Sequence, residues 1–369
     1  MIEQRFGESS PWSLGIEEEV MILDAETLAL SPSVEVLLRD AEALELPGRL
    51  KTELFASIVE LTTGICRSVD DAASALAALR RAASNIAGGN GLAIAAAGTH
   101  PFSEPERQEI ANDPRYREFV AYAGVSARRQ GVSGAHVHVG MPDADACYRV
   151  LECVLPWLPL VLALSANSPY LGGVATGLAS NRAEVLAQLP RAGAPPAFVS
   201  YVAWESFVER LVGLGLADDY TRFWWDVRPH PRFGTLEIRV PDQPTDLALT
   251  LAFAALLQAL CATVIERDGA STQAAARGDY AQNRWAALRF GPRAELIHPD
   301  GTRLVGVPEL TQELLDLVGP AAVALGTSSY LDAIEPRTCE ADRQLEVGQR
   351  DGLKAASADL AERTVRSVP

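Results

Sequence analysis

Three short segments of this 369-residue chain place charged or imidazole side chains two residues apart within sequence typical of buried strands. They are residues 15–20 (GIEEEV), 134–140 (GAHVHVG) and 234–242 (GTLEIRVPD). Residues i and i+2 of a strand point to the same face of the sheet. The sequence therefore predicts three strands that each present a pair of functional groups on one face.

The three pairs are compatible with a single site. They are Glu17 with Glu19, His136 with His138, and Glu237 with Arg239. Carboxylates and imidazoles bind divalent metal ions, guanidinium groups bind phosphate, and unpaired carboxylates are costly to bury. Together the pairs predict an ATP-dependent enzyme rather than a simple binding protein, and the carboxylates favour Mg²⁺ or Mn²⁺ over zinc.

Two further carboxylates lie in residues 51–64 (KTELFASIVELTTG), where residues 54–63 read as one strand. Glu53 and Glu60 are seven residues apart, so a straight extended chain would place them on opposite faces. They can converge only if the chain bends, and we expect that bend near Ala56 and Ser57.

Two more arginines are candidates for binding an anion. Arg228 precedes the third segment in DVRPHPR, and Arg182 follows a predicted loop, SANSP. The sequence contains neither G-x-x-x-x-G-K-[ST] nor G-x-S-x-G, which argues against a P-loop and against a serine hydrolase. Phosphates would then be held by metal ions and arginines. We expect Arg222 and Arg232 to form surface ion pairs instead.

The charge and the cysteines limit the partners and the compartment. A net charge of −16 argues against nucleic acid or an anionic membrane as the main partner. Five cysteines without a C-x-x-C pair are typical of free thiols and of the cytoplasm. The N-terminus lacks the apolar stretch of a signal peptide. The apolar run 247–265 predicts a buried helix, capped by Thr245, and no membrane span.

The order of predicted elements favours an α+β fold. Strands and helices do not alternate strictly, so we expect a mainly antiparallel sheet with helices on one side. A long apolar helix is predicted from Asp143 or Asp145 to about Ser165, with kinks at Pro156 and Pro159. We expect its apolar part, residues 150–163, to exceed what one subunit can cover, which predicts a homodimer.

Seven motifs in fixed order resemble those of a known family. The motifs are GIEEE, VELTTGIC, AGTHP, SGAHVHVG, SANSP, DVRPHPRFGTLEIRVPD and NRW, between residues 13 and 285. They resemble the bacterial carboxylate–amine ligases, or type 2 glutamate–cysteine ligases, which belong with glutamine synthetase. The resemblance implies a curved, mainly antiparallel sheet that forms a funnel backed by helices. It also implies one catalytic domain over residues 1–369, with the motifs in about 13–290 and a helical part in about 291–369.

The resemblance also assigns roles to the candidate residues. It implies two or three Mg²⁺ or Mn²⁺ ions that bridge the phosphates of ATP. One metal site would be formed by Glu19, Glu53 and Glu60, and another by Glu17, His136 and Glu237. His138 would lie toward the nucleotide, Arg239 would contact the γ-phosphate, and Arg228 and Arg182 would contact phosphate or a substrate carboxylate.

The activity implied by the resemblance is the ATP-dependent formation of a C–N bond. A carboxylate would attack the γ-phosphate to give an acyl phosphate, and an amine would then displace phosphate and leave an amide. The substrates would be small molecules, a glutamate-like carboxylate and an amine or amino acid, with weak glutamate–cysteine ligase activity.

Two other interpretations remain open at the level of sequence. A metal-dependent hydrolase could use His136, His138 and the glutamate cluster, but it would need no ATP and would leave Arg239 without a role. A non-catalytic relative could bind nucleotide without turnover. The complete set of acidic residues argues against that second interpretation.

Overall fold

A computed structural model describes residues 2–268 and 274–368. The strands in these residues are β1 Leu14–Asp24, β2 Gly48–Thr52, β3 Ile58–Thr63, β4 Leu92–Ala95, β5 Ala135–Gly140, β6 Tyr170–Leu171, β7 Val174–Ala175, β8 Val227–His230, β9 Thr235–Ile238, β10 Glu295–Ile297 and β11 Leu304–Gly306. The main sheet has the order β2-β3-β1-β5-β9-β8, and β4 also pairs with β1. All of these pairings are antiparallel.

Helices pack against both faces of this sheet. Their bounds are α1 Val34–Ala41, α2 Val69–Gly89, α3 Pro114–Ala123, α4 Val125–Arg128, α5 Ala144–Val154, α6 Leu158–Ser165, α7 Asn181–Leu186, α8 Tyr201–Gly213, α9 Leu247–Asp268, α10 Arg277–Phe290, α11 Val307–Ala324, α12 Glu340–Asp351 and α13 Leu353–Arg366. The predicted α+β class is confirmed. The chain from residue 274 on is mostly helical, as expected, whereas Ser271, where that prediction began, lies outside the described residues.

The register of the strands separates an apolar face from a polar one. Ile16 of β1 lies opposite Val137 of β5, which lies opposite Ile238 of β9. These three side chains are at most 1% exposed and belong to one core cluster with residues of α2, α5, α6 and α9. Because side chains alternate along a strand, their neighbours in sequence point to the other face.

One charged residue of β1 lies on the helical face. Glu18 receives two hydrogen bonds from the guanidinium of Arg80 on α2, both of 2.7 Å, and both side chains are fully buried. Arg80 also donates to the backbone oxygens of Pro244 and Thr245, and Glu18 accepts a hydrogen bond from the Thr250 hydroxyl. The ion pair therefore joins the central strand to α2 and to the beginning of α9.

The predicted strand over residues 54–63 is wrong in its first half. Residues 53–57 connect β2 to β3, and only Ile58–Thr63 is strand. The bend expected near Ala56 and Ser57 is therefore a hairpin connection, and Glu53 lies directly after β2.

The prediction that Thr245 caps the N-terminus of α9 is wrong, because Asp246 has that role. The carboxylate of Asp246 accepts from Ala248 N, whereas the Thr245 hydroxyl donates to Ala96 O on another element.

The long apolar helix is interrupted at Pro156, as expected, into α5 and α6. Ala144–Ser165 and Leu247–Glu266 are long and apolar enough to span a membrane, but 78% and 83% of their apolar windows are buried inside the fold. The prediction that residues 247–265 form a buried helix is confirmed. Because α5 and α6 lie in the core of one chain, they give no reason to expect a second subunit, which removes that argument for a homodimer.

Replacing Arg80 with Met is expected to destabilise the protein by about 3–5 kcal/mol, since it leaves the Glu18 carboxylate buried without its counter-ion. The free energy of unfolding in urea measures this change. Arg67→Met is the matched control, because Arg67 lies just before α2, is 86% exposed and is 3.6 Å from Asp71. The control should cost less than about 0.5 kcal/mol. A cost as small for Arg80→Met would contradict this role of the ion pair.

Candidate active site

The antiparallel register aligns polar residues into a row across the sheet, on the face opposite the helical core. Neighbouring pairs in this row are Lys51–Glu60, Glu60–Glu19, Glu17–His136, His138–Glu237 and Glu237–Arg228. The row crosses all six strands of the path from β2 to β8. The i, i+2 pairs predicted from sequence therefore face one common site.

Glu17, His138 and Glu237 form the tightest potential metal site in this row. One ligand atom from each lies within 4.8 Å of the other two. His138 Nδ1 hydrogen-bonds to the Thr235 hydroxyl at 2.9 Å, which leaves Nε2 directed toward Glu17 at 3.8 Å. That Nε2 is buried and has no hydrogen-bond partner in the part of the chain that the structure describes. A buried imidazole nitrogen without a partner fits a metal ligand.

His136 lies beside this group rather than in it. Its Nδ1 is 3.2 Å from Glu17 Oε2, and its Nε2 is 3.9 Å from Glu19 Oε1 and also lacks a hydrogen bond within the described ranges. The set implied by the resemblance was Glu17, His136 and Glu237. The structure instead groups His138 with Glu17 and Glu237, and places His136 between Glu17 and Glu19.

Glu19, Glu53 and Glu60 form a second acidic group. Burial, together with the charges of Glu19 and Glu60, raises the pKa of Glu53 to about 8. Burial raises the pKa of Glu19 to about 7, although Arg182 opposes the shift. Like charges that share a buried site favour protonation unless a cation binds. A divalent cation would relieve this repulsion, and the hairpin between β2 and β3 supplies two of the three carboxylates.

Glu237 is held by two arginines of different character. Arg228 donates to both carboxylate oxygens, at 2.6 and 3.1 Å, and its Nη1 donates to the backbone oxygens of Thr221 and Phe223. Arg239 donates to Glu237 through Nη1 only, and its side chain is 18% exposed. Burial opposes ionisation of Glu237, but these arginines hold its pKa well below its ordinary value. Arg228 is therefore engaged with the protein, whereas Arg239 keeps donors that can reach a ligand.

Arg182 is 2% exposed and lies against the two residues that directly follow β9. Its guanidinium donates to the backbone oxygens of Arg239 and Val240, at 3.0 and 3.2 Å. A Cβ at position 134 would overlap that guanidinium, which explains the glycine at the beginning of the GAHVHVG segment. Arg182 thus fixes the backbone that presents Arg239.

Two cavities lie on either side of the row. One of about 400 Å³ is bounded by Glu17 and His138, with the exposed side chains of Ile65 and Phe233 in its wall. A second cavity of about 120 Å³ is lined by five more of the predicted residues, namely Glu19, Glu53, His136, Arg182 and Arg239, whereas Glu60, Arg228 and Glu237 line neither cavity. A larger cavity of about 570 Å³ near Trp157 is lined by none of the predicted site residues.

Two residues that complete the second acidic group are not among those predicted from the sequence. Lys51 forms an ion pair with Glu60 at 3.0 Å, and the hydroxyl of Tyr116 donates to Glu53 at 3.0 Å. Lys51 had a signal, since it lies two residues before Glu53. Tyr116 had none, because it comes from α3, 63 residues after Glu53.

The sequence matches a family and several named relatives. Residues 13–357 match the model of a protein family described as Glutamate-cysteine ligase family 2 (GCS2). A Rubrobacter xylanophilus protein named "Putative glutamate--cysteine ligase 2-3" is 41% identical over 371 residues, which covers 98% of this chain and 100% of the relative. A Herpetosiphon aurantiacus protein named "Putative glutamate--cysteine ligase 2" is 34% identical, covering 97% of this chain and 94% of the relative.

Solved structures share the fold at low sequence identity. The glutamate–cysteine ligase of Francisella tularensis in complex with AMP superposes with a TM-score of 0.67 at 14% identity, covering 98% of this chain and 89% of that one. A bifunctional glutathione synthetase from Pasteurella multocida gives 0.68 at 18% identity, covering 97% of this chain and 53% of that one. These likenesses confirm the predicted glutamine-synthetase-like fold.

Replacing His138 with Asn is expected to weaken Mn²⁺ binding by at least about tenfold, because it removes the Nε2 atom that faces Glu17 and Glu237. His136→Asn, the matched variant on the same strand, should weaken binding less. Titration calorimetry with MnCl₂, in the absence of nucleotide, compares the two. The opposite order would restore His136 as the ligand that the resemblance implies.

Replacing Glu53 with Gln is expected to stabilise the metal-free protein at pH 8 and to leave its stability nearly unchanged near pH 4. A carboxyl whose pKa is raised in the folded state contributes stability below its unfolded pKa and loses it as the pH rises toward the folded value, here from 4.5 to about 8. The melting temperature in EDTA at both pH values measures the difference.

Saturating MgCl₂ at pH 8 should make the wild type more stable than Glu53→Gln, if Glu53 is the metal ligand that the resemblance implies. Glu45→Gln, at an exposed position, is the control and should show no dependence on pH or on Mg²⁺. A difference between Glu53→Gln and wild type that is constant across pH would contradict a buried, protonated Glu53.

Proposed function

The chain belongs to glutamate–cysteine ligase family 2, and we propose that it is an ATP-dependent carboxylate–amine ligase acting through an acyl phosphate. One observation carries the proposal, the row of carboxylates and imidazoles that ends at arginines on one face of the sheet. Such a row can bind metal ions and a polyphosphate side by side.

Mg²⁺ or Mn²⁺ fits the donor atoms of the site, because carboxylate oxygens predominate and a buried imidazole nitrogen lacks a partner. Glu17, Glu237 and His138, with His136 adjacent, would hold one ion. Glu19, Glu53 and Glu60 would hold another. Ions bound there would neutralise negative charge on the phosphates during transfer.

Glu237 has room for a metal ion despite its two arginines. A carboxylate offers about four lone-pair positions. Arg228 occupies two of them and Arg239 a third, which leaves one directed toward the group with Glu17 and His138. Arg228 is then a positioning residue that fixes the orientation of the Glu237 carboxylate.

The 400 Å³ cavity suits the base of ATP. Its wall contains the side chains of Ile65 and Phe233, which are 77% and 51% exposed, and the Phe233 ring stacks on His230 at 4.1 Å. Apolar and aromatic surfaces bind a purine well. A base bound there would leave the phosphates near Glu17 and His138, which lie in the middle of the row and face this cavity.

Arg239 is the residue we assign to the transferring phosphoryl group. It contacts Glu237, lines the smaller cavity, and keeps hydrogen-bond donors with no partner among the described residues. In the proposed reaction a substrate carboxylate oxygen forms a bond to the γ-phosphorus, and ADP leaves. The amine nitrogen then attacks the acyl carbon, phosphate leaves with the C–O bond electrons, and the amine loses a proton. Arg239 would stabilise the charge that develops in the first step.

The substrates that we propose are an amino acid with a glutamate-like carboxylate and an amine or a second amino acid, with weak glutamate–cysteine ligase activity. The direct test is phosphate release from ATP and Mg²⁺ across a panel of acid and amine pairs, with mass detection of the amide. Release that depends on both substrates supports a ligase. Release without any amide product would instead favour a hydrolase. Cytoplasmic location remains a prediction from sequence alone. The homodimer stays an untested prediction, which the buried position of α5 and α6 no longer supports.

Arg239→Lys is expected to lower kcat by about 100-fold or more, because lysine keeps the charge but loses the planar fork aimed at the phosphoryl group. The KM for ATP should change far less, since other groups bind the remaining phosphates. Steady-state kinetics separate the two effects.

Arg129→Lys is the control for Arg239→Lys, at a surface pair with Glu106 that lies outside both active-site cavities. It should retain normal kinetics. Normal turnover by Arg239→Lys, or loss of ATP affinity in proportion to rate, would show that Arg239 does not serve the γ-phosphate.

A further inference from the structure

Arg222 lies between the active site and a neighbouring cavity. The active-site cavity of about 120 Å³ and a second cavity of about 110 Å³ share three lining residues, Phe119, Arg222 and Trp224. The surface ion pair expected for Arg222 is confirmed, because its Nε donates to Asp218 at 3.0 Å. The Arg222 side chain is nevertheless only 21% exposed, and Asp218 occupies only one edge of the guanidinium.

The guanidinium of Arg222 is oriented by an aromatic ring. Its Cζ lies 5.6 Å from the centre of the Phe119 ring, which itself packs against Trp224 at 5.1 Å. Stacking on an aromatic face fixes the plane of a guanidinium and leaves its edges free for hydrogen bonds. Neither Nη atom of Arg222 has a hydrogen bond to any residue that the structure describes.

A second guanidinium lines the same 110 Å³ cavity. Arg191 donates from Nε to the backbone oxygen of Arg222 at 3.1 Å, and its Cζ lies 5.8 Å from the Trp224 ring. Its Nη2 is buried and has no hydrogen-bond partner among the described residues. The backbone of Arg191 has φ of +61°, a conformation that L residues rarely adopt. The chain thus holds this side chain in place at some cost and leaves one donor unsatisfied.

Two acidic residues also line this cavity, and they do not neutralise both arginines. Asp218 is 74% exposed and accepts from Arg222 Nε, and Glu118 is an exposed residue of α3. Arg191 forms no ion pair within the described ranges. Two oriented guanidinium groups with free edges match the two oxygens of a carboxylate.

We propose that Arg222, supported by Arg191, binds a carboxylate of an amino-acid substrate that does not take part in the reaction. The inference rests on the proposed ligase function, because the substrate would reach Arg222 from the cavity that contains Arg239 and Glu53. Phe119 and Trp224 would pack against the carbon chain between the two ends. This site selects amino acids over simple acids and amines.

Either substrate can supply such a carboxylate, and the experiment distinguishes the two sources. The acid arm compares L-glutamate with 4-aminobutyrate, which lacks the α-carboxylate. The amine arm compares L-cysteine with cysteamine, which lacks its carboxylate, and pairs L-alanine with ethylamine in the same way. Phosphate release with ATP and Mg²⁺ gives kcat/KM for each member of each pair.

In the wild type, kcat/KM is expected to be at least about tenfold higher for the carboxylate-bearing member of the pairs in one arm. Arg222→Gln should remove that preference by raising KM for this member alone, while KM for ATP stays within about twofold of the wild-type value. Arg191→Asn should reduce the preference, and Asn tolerates the positive φ at that position. Arg222→Lys should recover part of the preference.

Arg210→Gln is the matched control, because Arg210 is exposed and lies 5.3 Å from the Phe207 ring, outside both cavities. It should keep the wild-type preference. Equal use of both members of every pair by the wild type, or a preference that survives Arg222→Gln, would overturn the carboxylate site and leave the ligase function standing. Absence of amine-dependent phosphate release with any pair would overturn the ligase function, and the carboxylate site with it.

Discussion

The buried ion pair between Glu18 and Arg80 determines how the central strand can carry the active site. Three consecutive glutamates in β1 must point to alternating faces, so one carboxylate has to enter the helical core. Arg80 neutralises that carboxylate with a bidentate contact and connects it to the beginning of α9. Because Glu18 is satisfied there, Glu17 and Glu19 can both face the opposite side of the sheet.

The opposite face carries more buried negative charge than the protein itself neutralises. Arg228 and Arg239 compensate Glu237, and Lys51 compensates Glu60. Burial and mutual repulsion raise the pKa of both Glu19 and Glu53. The same residues would be costly in a purely structural role, whereas divalent ions and a polyphosphate would satisfy them. This imbalance is the physical reason why we interpret the row as a catalytic site.

The sequence predicted the parts of the site that depend on strand periodicity. Alternation alone placed Glu17 with Glu19, His136 with His138 and Glu237 with Arg239 on a shared face, and the register of the strands brings the three pairs to one site. Periodicity could not choose between His136 and His138, because their ring directions depend on Thr235 and on Glu17 across strands. It also made the strand that carries Glu60 too long, since the hairpin connection over residues 53–57 is not visible as a change of pattern. Tyr116 contacts Glu53 and Arg80 contacts Glu18 from more than 60 residues away in the sequence, and local patterns do not predict such contacts.

Diffraction data from crystals grown with MnCl₂ and a non-hydrolysable ATP analogue would show directly whether the row of polar residues binds metal ions and a triphosphate. Anomalous scattering locates Mn²⁺ independently of the surrounding model of the protein. We expect at least two peaks above the row, one beside Glu17 and Glu237 and one beside Glu19 and Glu60, with the triphosphate between them and Arg239. Peaks elsewhere, or a nucleotide bound in the 570 Å³ cavity near Trp157, would contradict this expectation.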